Sequence, residues 1–242
     1  MNPVADVWVY LAASPLLWLT LTLAAYIAAF ALYERSRFNP LVNPVAIAVA
    51  AIVAILAATG TPYATFFEGA QFVHFLLGPA TVALAVPLFE RLHQLRRAWF
   101  ALAAGLAVGV VVAMVSALLL AWLLGASKAT IASLAPKSVT TPVAMGISEK
   151  IGGIPSLTAV IVVLTGIVAA ALGRFVFDAL GVKRLAVRGF AIGLAGHGQG
   201  VARAFIVSEE AGAFAGLAMG LTALATALVA PWLAPWLIAL LG

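Results

Sequence analysis

Long apolar runs, separated by short polar or basic stretches, dominate the pattern of this chain. Each run approaches the ~20 residues that a helix needs to cross a bilayer. The pattern therefore predicts an all-α, polytopic integral membrane protein with about eight membrane segments. In chain order we place them at residues 14–33, 43–59, 71–89, 98–124, 128–150, 154–179, 185–209 and 212–241.

The composition supports this prediction and narrows the function classes. Of the 242 residues, 65% are hydrophobic and 9% are charged, whereas a soluble domain carries about a quarter charged residues. We expect one transmembrane domain over residues 1–242, in a multi-pass arrangement in the cytoplasmic (inner) membrane. The excess positive charge lies in short clusters between apolar runs, which indicates a topology signal rather than nucleic-acid binding.

Residue types also argue against most catalytic chemistry. The chain has no cysteine, so disulfides and thiolate metal sites are excluded. Its three histidines are dispersed without metal-ligand spacing, and no nucleophile-elbow or phosphate-loop motif is present. We therefore expect no enzyme activity, no metal and no cofactor.

Basic loops give conflicting topology around segments four to six. Arg96 and Arg97 precede segment four, and Lys183 and Arg184 follow segment six, so both loops are predicted inside. Three full crossings cannot begin and end on the same side. Either one basic loop lies outside, or one segment re-enters, and the proline-containing segment five is the best candidate for re-entry.

Prolines and glycines interrupt three of the apolar segments. Interrupted membrane helices are tolerated where the irregular backbone lines a cavity or is buried in protein, and paired interruptions are typical of transporter binding sites. A short motif at 79–83 faintly resembles the motif at 136–140 and adds Thr81 to the candidate substrate-binding residues. The expected helix-breaking residues are Gly78, Pro79, Pro87, Pro136, Pro142, Gly196, Gly198 and Gly200.

Lys137 is the first candidate binding residue, because it lies deep in segment five. A cation at that depth is costly unless it is paired or hydrated. Ser138, Thr140 and Thr141 supply hydroxyl groups, and a helix that restarts after Pro136 would present free N–H groups to an anion. We expect a carboxylate site here. The alternative is a loop lysine on a short re-entrant turn.

A second candidate cluster lies in segment seven. Alternate glycines disfavour a stable helix, and they bring His197, Gln199 and Arg203 into one short stretch. Arg203 can hold a carboxylate through two hydrogen bonds, and His197 can carry a proton near neutral pH. We expect Lys137 and Arg203 to supply positive charge to one central site. The alternative is close helix packing with an arginine at the membrane edge.

Small-residue stripes predict close helix packing. Gly105 and Gly109 form one stripe, and Gly212, Gly216 and Gly220 form another at a spacing of four. Packing within one subunit is the expected use, and a homodimer or larger homo-oligomer is the alternative.

Four motifs together resemble the LrgB/CidB family. They lie at 77–88, 136–142, 152–159 and 196–204, and the resemblance covers residues 39–242. The family's last motif usually has Thr where this chain has Val201.

The resemblance implies two functions. One is an antiholin-like regulator of murein hydrolase export and lysis, which acts with a small LrgA/CidA-type membrane partner. The other, based on similarity to the plastid glycolate/glycerate transporter, is transport of small monocarboxylates such as glycolate, glycerate or pyruvate. A regulator does not need Lys137 and Arg203 beside broken helices, so we expect secondary transport.

Overall fold

The computed structural model describes residues 14–83, 85–90 and 92–241, which belong to two compact units divided after Ala83. All regular secondary structure in these residues is helical. The prediction of a single transmembrane domain stays a prediction. The helices are α1 (Pro15–Arg35), α2 (Pro44–Thr59), α3 (Tyr63–Phe75), α4 (Leu77–Ala83), α5 (Ala85–Glu90), α6 (Leu92–Arg97), α7 (Trp99–Leu123), α8 (Lys128–Leu134), α9 (Thr141–Lys150), α10 (Pro155–Ala179), α11 (Leu185–Val207) and α12 (Glu209–Leu241).

Within the described ranges, four helices are long and apolar enough to cross a membrane: α1, α7, α10 and α12. Helix α2 is also apolar but shorter. Many large apolar side chains on these helices are exposed, as expected for surfaces that face lipid. The prediction of an all-α membrane protein is confirmed, whereas the number of eight segments stays a prediction.

The first unit shows how local sequence sets helix ends. The Asn43 side chain accepts hydrogen bonds from the N–H groups of Val45 and Ala46, with Pro44 as the first helical residue of α2. The helix stops at Gly60, which adopts the left-handed conformation with φ 65°. The predicted start and end of segment two are thus confirmed.

Segment three is interrupted, as predicted, but the break falls at Leu76 rather than at Pro79. Helix α3 ends at Phe75 and α4 begins at Leu77, so Pro79 lies in the first turn of a new helix, where its missing N–H costs little. Segment three also begins earlier than predicted, since α3 starts at Tyr63. The side chains of Thr81 and Pro87 lie outside the described part of the structure.

Segment five folds back on itself, and we call residues 128–150 the proline hairpin. Helices α8 and α9 are separated by the irregular residues 135–140. In a straight helix, Ser133 and Ser148 would be about 22 Å apart. Both instead lie against the hydroxyl of Thr158, at 3.1 Å from the Ser133 carbonyl oxygen and 2.7 Å from the Ser148 Oγ. The chain therefore reverses at the break, as expected for a segment that does not simply cross.

Segment seven also folds back, and we call residues 185–207 the glycine hairpin. His197 has φ 40° and ψ −132°, which interrupts α11. A Cβ atom at Gly200 would collide with the carbonyl oxygen of Ile192, although eight residues span about 12 Å in a straight helix. Leu185 and Phe205 pack into one hydrophobic cluster, which confirms that the two arms lie side by side.

Helix α12 packs against the first arm of the glycine hairpin at backbone distance. A Cβ on Gly189 would collide with Ala211, and a Cβ on Gly193 would collide with Ala215. Because both contacts have the same residue offset, α12 runs parallel to this arm. The same register places His197 level with Met219, so Thr222 lies about one helical turn beyond the hairpin tip.

Three glycines of the predicted stripes lie against other helices of the same chain. A Cβ on Gly109 would meet Leu194 at 2.5 Å, and one on Gly105 would lie 3.7 Å from Phe190. A Cβ on Gly212 would collide with the ring of Phe205. Gly220 is exposed with open space around it in the described residues. A homo-oligomeric use of the stripe stays a prediction.

Candidate functional site where two hairpin tips meet

The tips of the two hairpins meet at one turn of α10. The side chain of Val162 packs in the same buried cluster as Val139 and Ala144 of the proline hairpin. Its carbonyl oxygen lies 2.9 Å from Nε2 of His197 at the tip of the glycine hairpin. Val162 therefore separates two interrupted backbones in the interior of the second unit.

The tip of the proline hairpin presents hydrogen-bond donors. Lys137 is half-buried, and its Nζ lies 3.4 Å from Oγ of the buried Ser138. Thr140 is the extended N-cap residue of α9, and its side chain makes no capping bond. The first N–H groups of α9 have no intrahelical acceptor and carry the positive end of the helix dipole. An ammonium, hydroxyls and free N–H groups thus occupy one tip.

Pro136 and a buried hydroxyl cluster shape this tip. Pro136 has no N–H, and the Lys137 N–H turns to the carbonyl of Leu134 instead of that of Ser133. The freed Ser133 carbonyl receives the Thr158 hydroxyl, and the Ser133 Oγ accepts a hydrogen bond from the Ile154 N–H at 2.8 Å. Ser148 completes the cluster, which fixes the two arms against the start of α10.

The tip of the glycine hairpin presents hydrogen-bond acceptors. A carbonyl oxygen can only accept, so Nε2 of His197 donates to Val162 and leaves Nδ1 as the other ring nitrogen. For the same reason, Nε2 of Gln199 points to the Val163 carbonyl at 3.3 Å, with its Oε1 on the other side. That Oε1 is buried without a partner in the described structure. The amide orientation is therefore set by α10.

Three features of the second unit were missed in the sequence. Gly166 allows the tip to pack on α10, because a Cβ there would lie 2.7 Å from the His197 ring and 3.0 Å from Gln199. The Thr222 hydroxyl is also buried without a partner in the described residues. The third is the Ser133, Ser148 and Thr158 cluster. A glycine inside the apolar segment six was the available signal for Gly166, whereas Thr222 looks like an ordinary helix residue.

Arg203, on the second arm of the glycine hairpin, lies beside a different part of α10 from His197 and Gln199. It lines a cavity with Arg174 and Arg188, and Lys137 is not part of that lining. The cavity also includes Ala170, eight residues beyond Val162, which is about 12 Å along a helix. The structure thus brings His197 and Gln199 to the Val162 turn with the proline hairpin, and it brings Arg203 to two other arginines.

Comparison with known proteins supports the family resemblance. The profile of the LrgB-like family matches residues 22–236, which begins earlier than the predicted 39–242. An uncharacterized protein of Bacillus subtilis (strain 168), YwbG, is 34% identical over 201 residues, covering 83% of this chain and 89% of the relative. The antiholin-like protein LrgB of Bacillus cereus (strain B4264) is 29% identical over 206 residues, covering 85% and 90%. No solved structure matches the chain.

Proposed function

The chain belongs to the LrgB-like family, and from that premise we propose that it is a secondary transporter of small monocarboxylates across the cytoplasmic membrane. The observation that carries the proposal is the meeting of two interrupted hairpins at Val162. Interrupted segments facing each other inside a helical membrane protein are a recurrent arrangement in transporter binding sites. In this proposal the chain spans the membrane several times, has no ATPase activity and needs no cofactor.

In the proposed site, the proline hairpin binds the carboxylate. Lys137 supplies the positive charge, and the hydroxyls of Ser138, Thr140 and Thr141 and the N–H groups at the start of α9 supply directional contacts. A monocarboxylate has few atoms, so its affinity is expected to be modest, about micromolar to millimolar. Thr81, in the similar motif of segment three, remains a candidate for the same substrate.

The glycine hairpin adds a preference among these substrates. The unpartnered Gln199 Oε1 accepts hydrogen bonds but cannot donate them. A 2-hydroxy acid such as glycolate or glycerate offers a hydroxyl donor at the carbon next to its carboxylate, whereas pyruvate offers a second acceptor. A substrate that leaves this buried acceptor unpaired should bind more weakly, because the acceptor keeps its desolvation cost. We therefore propose that glycolate and glycerate are preferred over pyruvate.

The role of Arg203 in this site is tested by mutation. The sequence prediction that Lys137 and Arg203 share one site remains a proposal, and Arg203→Ala decides it. A loss of uptake as large as that of Lys137→Ala would support two cations acting on one carboxylate. A small loss would indicate that Arg203 acts only in the cavity that it lines with Arg174 and Arg188.

The proposed function is tested in proteoliposomes. Purified protein is reconstituted with and without an LrgA-type partner, and uptake of labelled glycolate and pyruvate is measured. We expect saturable uptake, with glycolate favoured by at least about tenfold, equivalent to about 1.4 kcal/mol. Absence of uptake in both preparations would refute the transport proposal, and equal uptake of both acids would refute the preference.

The second candidate function is regulation of lysis. It is favoured by the names of relatives such as the antiholin-like protein LrgB of Bacillus mycoides (strain KBAB4), 29% identical over 206 residues. In that case the chain would modulate murein hydrolase export together with an LrgA/CidA-type partner. A lysis phenotype in cells that persists in the transport-dead Lys137→Ala variant would support this function, and its loss in that variant would tie lysis to transport.

A further inference from the structure

A small basic cavity lies between α10 and the base of the glycine hairpin. It has a volume of about 200 Å³. Its lining combines three arginines with apolar residues, and the described lining contains no acidic residue. The lining includes Arg174, Arg188, Arg203, Phe177 and Val207.

Two of the arginines are partly fixed by neighbouring residues. Arg188 donates through its terminal nitrogen to Oδ1 of Asp178 at 2.6 Å and through Nε to the Val182 carbonyl, and its guanidinium lies 5.7 Å from the Phe177 ring centre. Nε of Arg174 lies 3.6 Å from the other Asp178 oxygen. One carboxylate therefore serves two guanidinium groups.

The surroundings point to the membrane surface. Val207, which lines the cavity, and its neighbour Ile206 are 53% and 43% exposed. Lys183 and Arg184 lie in the short loop after α10, and a basic loop of this kind is expected on the cytoplasmic side. Anionic lipids of the cytoplasmic leaflet are attracted to basic pockets between membrane helices at this level.

We propose that this cavity binds the phosphodiester group of an anionic phospholipid. Guanidinium groups match phosphate oxygens in geometry and charge, and the volume suits a headgroup phosphate rather than a whole lipid. The acyl chains would follow the exposed apolar surface around Ile206 and Val207. A phosphate held by Arg203 on one side and by Arg174 and Arg188 on the other ties both arms of the hairpin to α10.

The test compares two double variants of equal charge change. Arg174→Gln/Arg188→Gln alters the cavity, whereas Lys128→Gln/Lys150→Gln removes two exposed cations of the proline hairpin as the control. Arg203 is left unchanged because it has a proposed part in carboxylate binding. Delipidated full-length protein in neutral detergent is titrated with phosphatidylglycerol, phosphatidylcholine, glycerol phosphate or glycolate, and lipid binding and melting temperature are measured.

We expect phosphatidylglycerol to bind at least about tenfold more weakly to the arginine variant and to lose its effect on melting temperature, with the lysine control unchanged. Glycerol phosphate alone is expected to compete at higher concentration. Equal binding of phosphatidylglycerol and phosphatidylcholine would overturn the proposal, as would unchanged binding by the arginine variant. Displacement of lipid by glycolate would assign the cavity to the carboxylate instead. These binding measurements do not depend on whether the protein transports.

Discussion

The proline hairpin and the glycine hairpin both reverse the chain inside the second unit, but they do so differently. The first uses six irregular residues around Pro136, and buried hydroxyls on its arms hold it closed. The second turns at His197 alone, in a conformation with positive φ that is uncommon for a residue with a side chain. A proline removes one donor and loosens a turn, whereas clustered glycines allow two helical arms to pack at backbone distance.

The difference extends to chemistry. The proline tip offers an ammonium, hydroxyls and N–H groups, while the donors of the glycine tip are already used on the Val162 and Val163 carbonyls. One tip is therefore suited to a carboxylate and the other to a group that donates. A 2-hydroxy acid has a carboxylate and a hydroxyl donor on adjacent carbons, so the two tips together favour it over pyruvate in the proposed site.

The largest expected effect is loss of the charge at the proline tip. Lys137→Ala removes the cation of the proposed carboxylate site, at a cost of about 2–3 kcal/mol for a charged hydrogen bond, which is about 30- to 150-fold in uptake at low substrate concentration. Membrane insertion and melting temperature should change little. Proteoliposome uptake of labelled glycolate measures the effect.

The matched control is Lys150→Ala, because Lys150 is an exposed lysine at the end of α9 in the same hairpin. Its uptake should stay at the level of the unmodified protein. If Lys137→Ala and Lys150→Ala transport equally well, the proline tip does not bind the carboxylate and the assignment of donor and acceptor tips fails.

The second effect concerns the packing of the glycine tip against α10. Gly166→Ala introduces a Cβ about 2.7 Å from the His197 ring, so the tip must shift, with an overpacking cost of about 1–3 kcal/mol. We expect a lower melting temperature and reduced uptake. Gly146→Ala is the control, since a Cβ there meets nothing within 4 Å, and its helix should gain up to about 1 kcal/mol. Equal melting temperatures for the two variants would contradict the close packing of the tip.

The interruptions of both hairpins were predictable from sequence, but the reversal of the chain was predictable only for the proline hairpin. Pro136 and Pro142 in an apolar run, together with the conflict between basic loops, indicated that segment five does not simply cross. The glycines of segment seven indicated irregular backbone or close packing. Nothing local distinguishes a kink from a reversal at His197, because the reversal depends on contacts of Gly189 and Gly193 with α12.

The candidate site was predicted in part for a similar reason. Lys137, His197 and Gln199 stand out because polar groups are rare in apolar segments. Gly166 contributes through its place opposite His197 and Gln199, which no spacing within its own segment reveals. Arg203 is a further example, since its neighbours Arg174 and Arg188 lie on α10 and on the other arm of the hairpin.

A third, smaller effect concerns what closes the proline hairpin. Thr158→Val removes the hydroxyl that lies between the Ser133 carbonyl and the Ser148 Oγ, in a fully buried position. Leaving these groups unpaired should cost about 1–3 kcal/mol and lower the melting temperature. Ser156→Ala, at an exposed position in the first turn of α10, is the control. A Thr158→Val protein as stable as the control would show that the prolines alone hold the hairpin.

The smallest expected effect is the replacement of His197 by Gln, which tests the sequence prediction of a proton carrier. A glutamine N–H can take over the donation to the Val162 carbonyl, so the tip should keep its place. Glycolate uptake at the optimum pH should then stay within about fivefold, since one neutral hydrogen bond contributes ~1 kcal/mol or less. The α10 residues at this contact, Val162, Val163 and Gly166, are not ionisable, and Lys137 is the charged side chain of the opposing tip. With Nε2 bound to a carbonyl, Nδ1 is the nitrogen that would accept a proton, and glutamine has no such group in this range.

Uptake is therefore measured from about pH 5.5 to 8, where an unperturbed histidine changes charge. We expect a flatter profile for His197→Gln than for the unmodified protein, with His93→Gln, an exposed histidine of α6, as the control. A third variant, His197→Gly, separates the ring from the backbone, because glycine adopts φ 40° without strain but cannot bond to Val162. If His197→Gln keeps the original pH profile while His197→Gly loses uptake, the ring only anchors the tip, and the two hairpins differ in packing rather than in proton transfer.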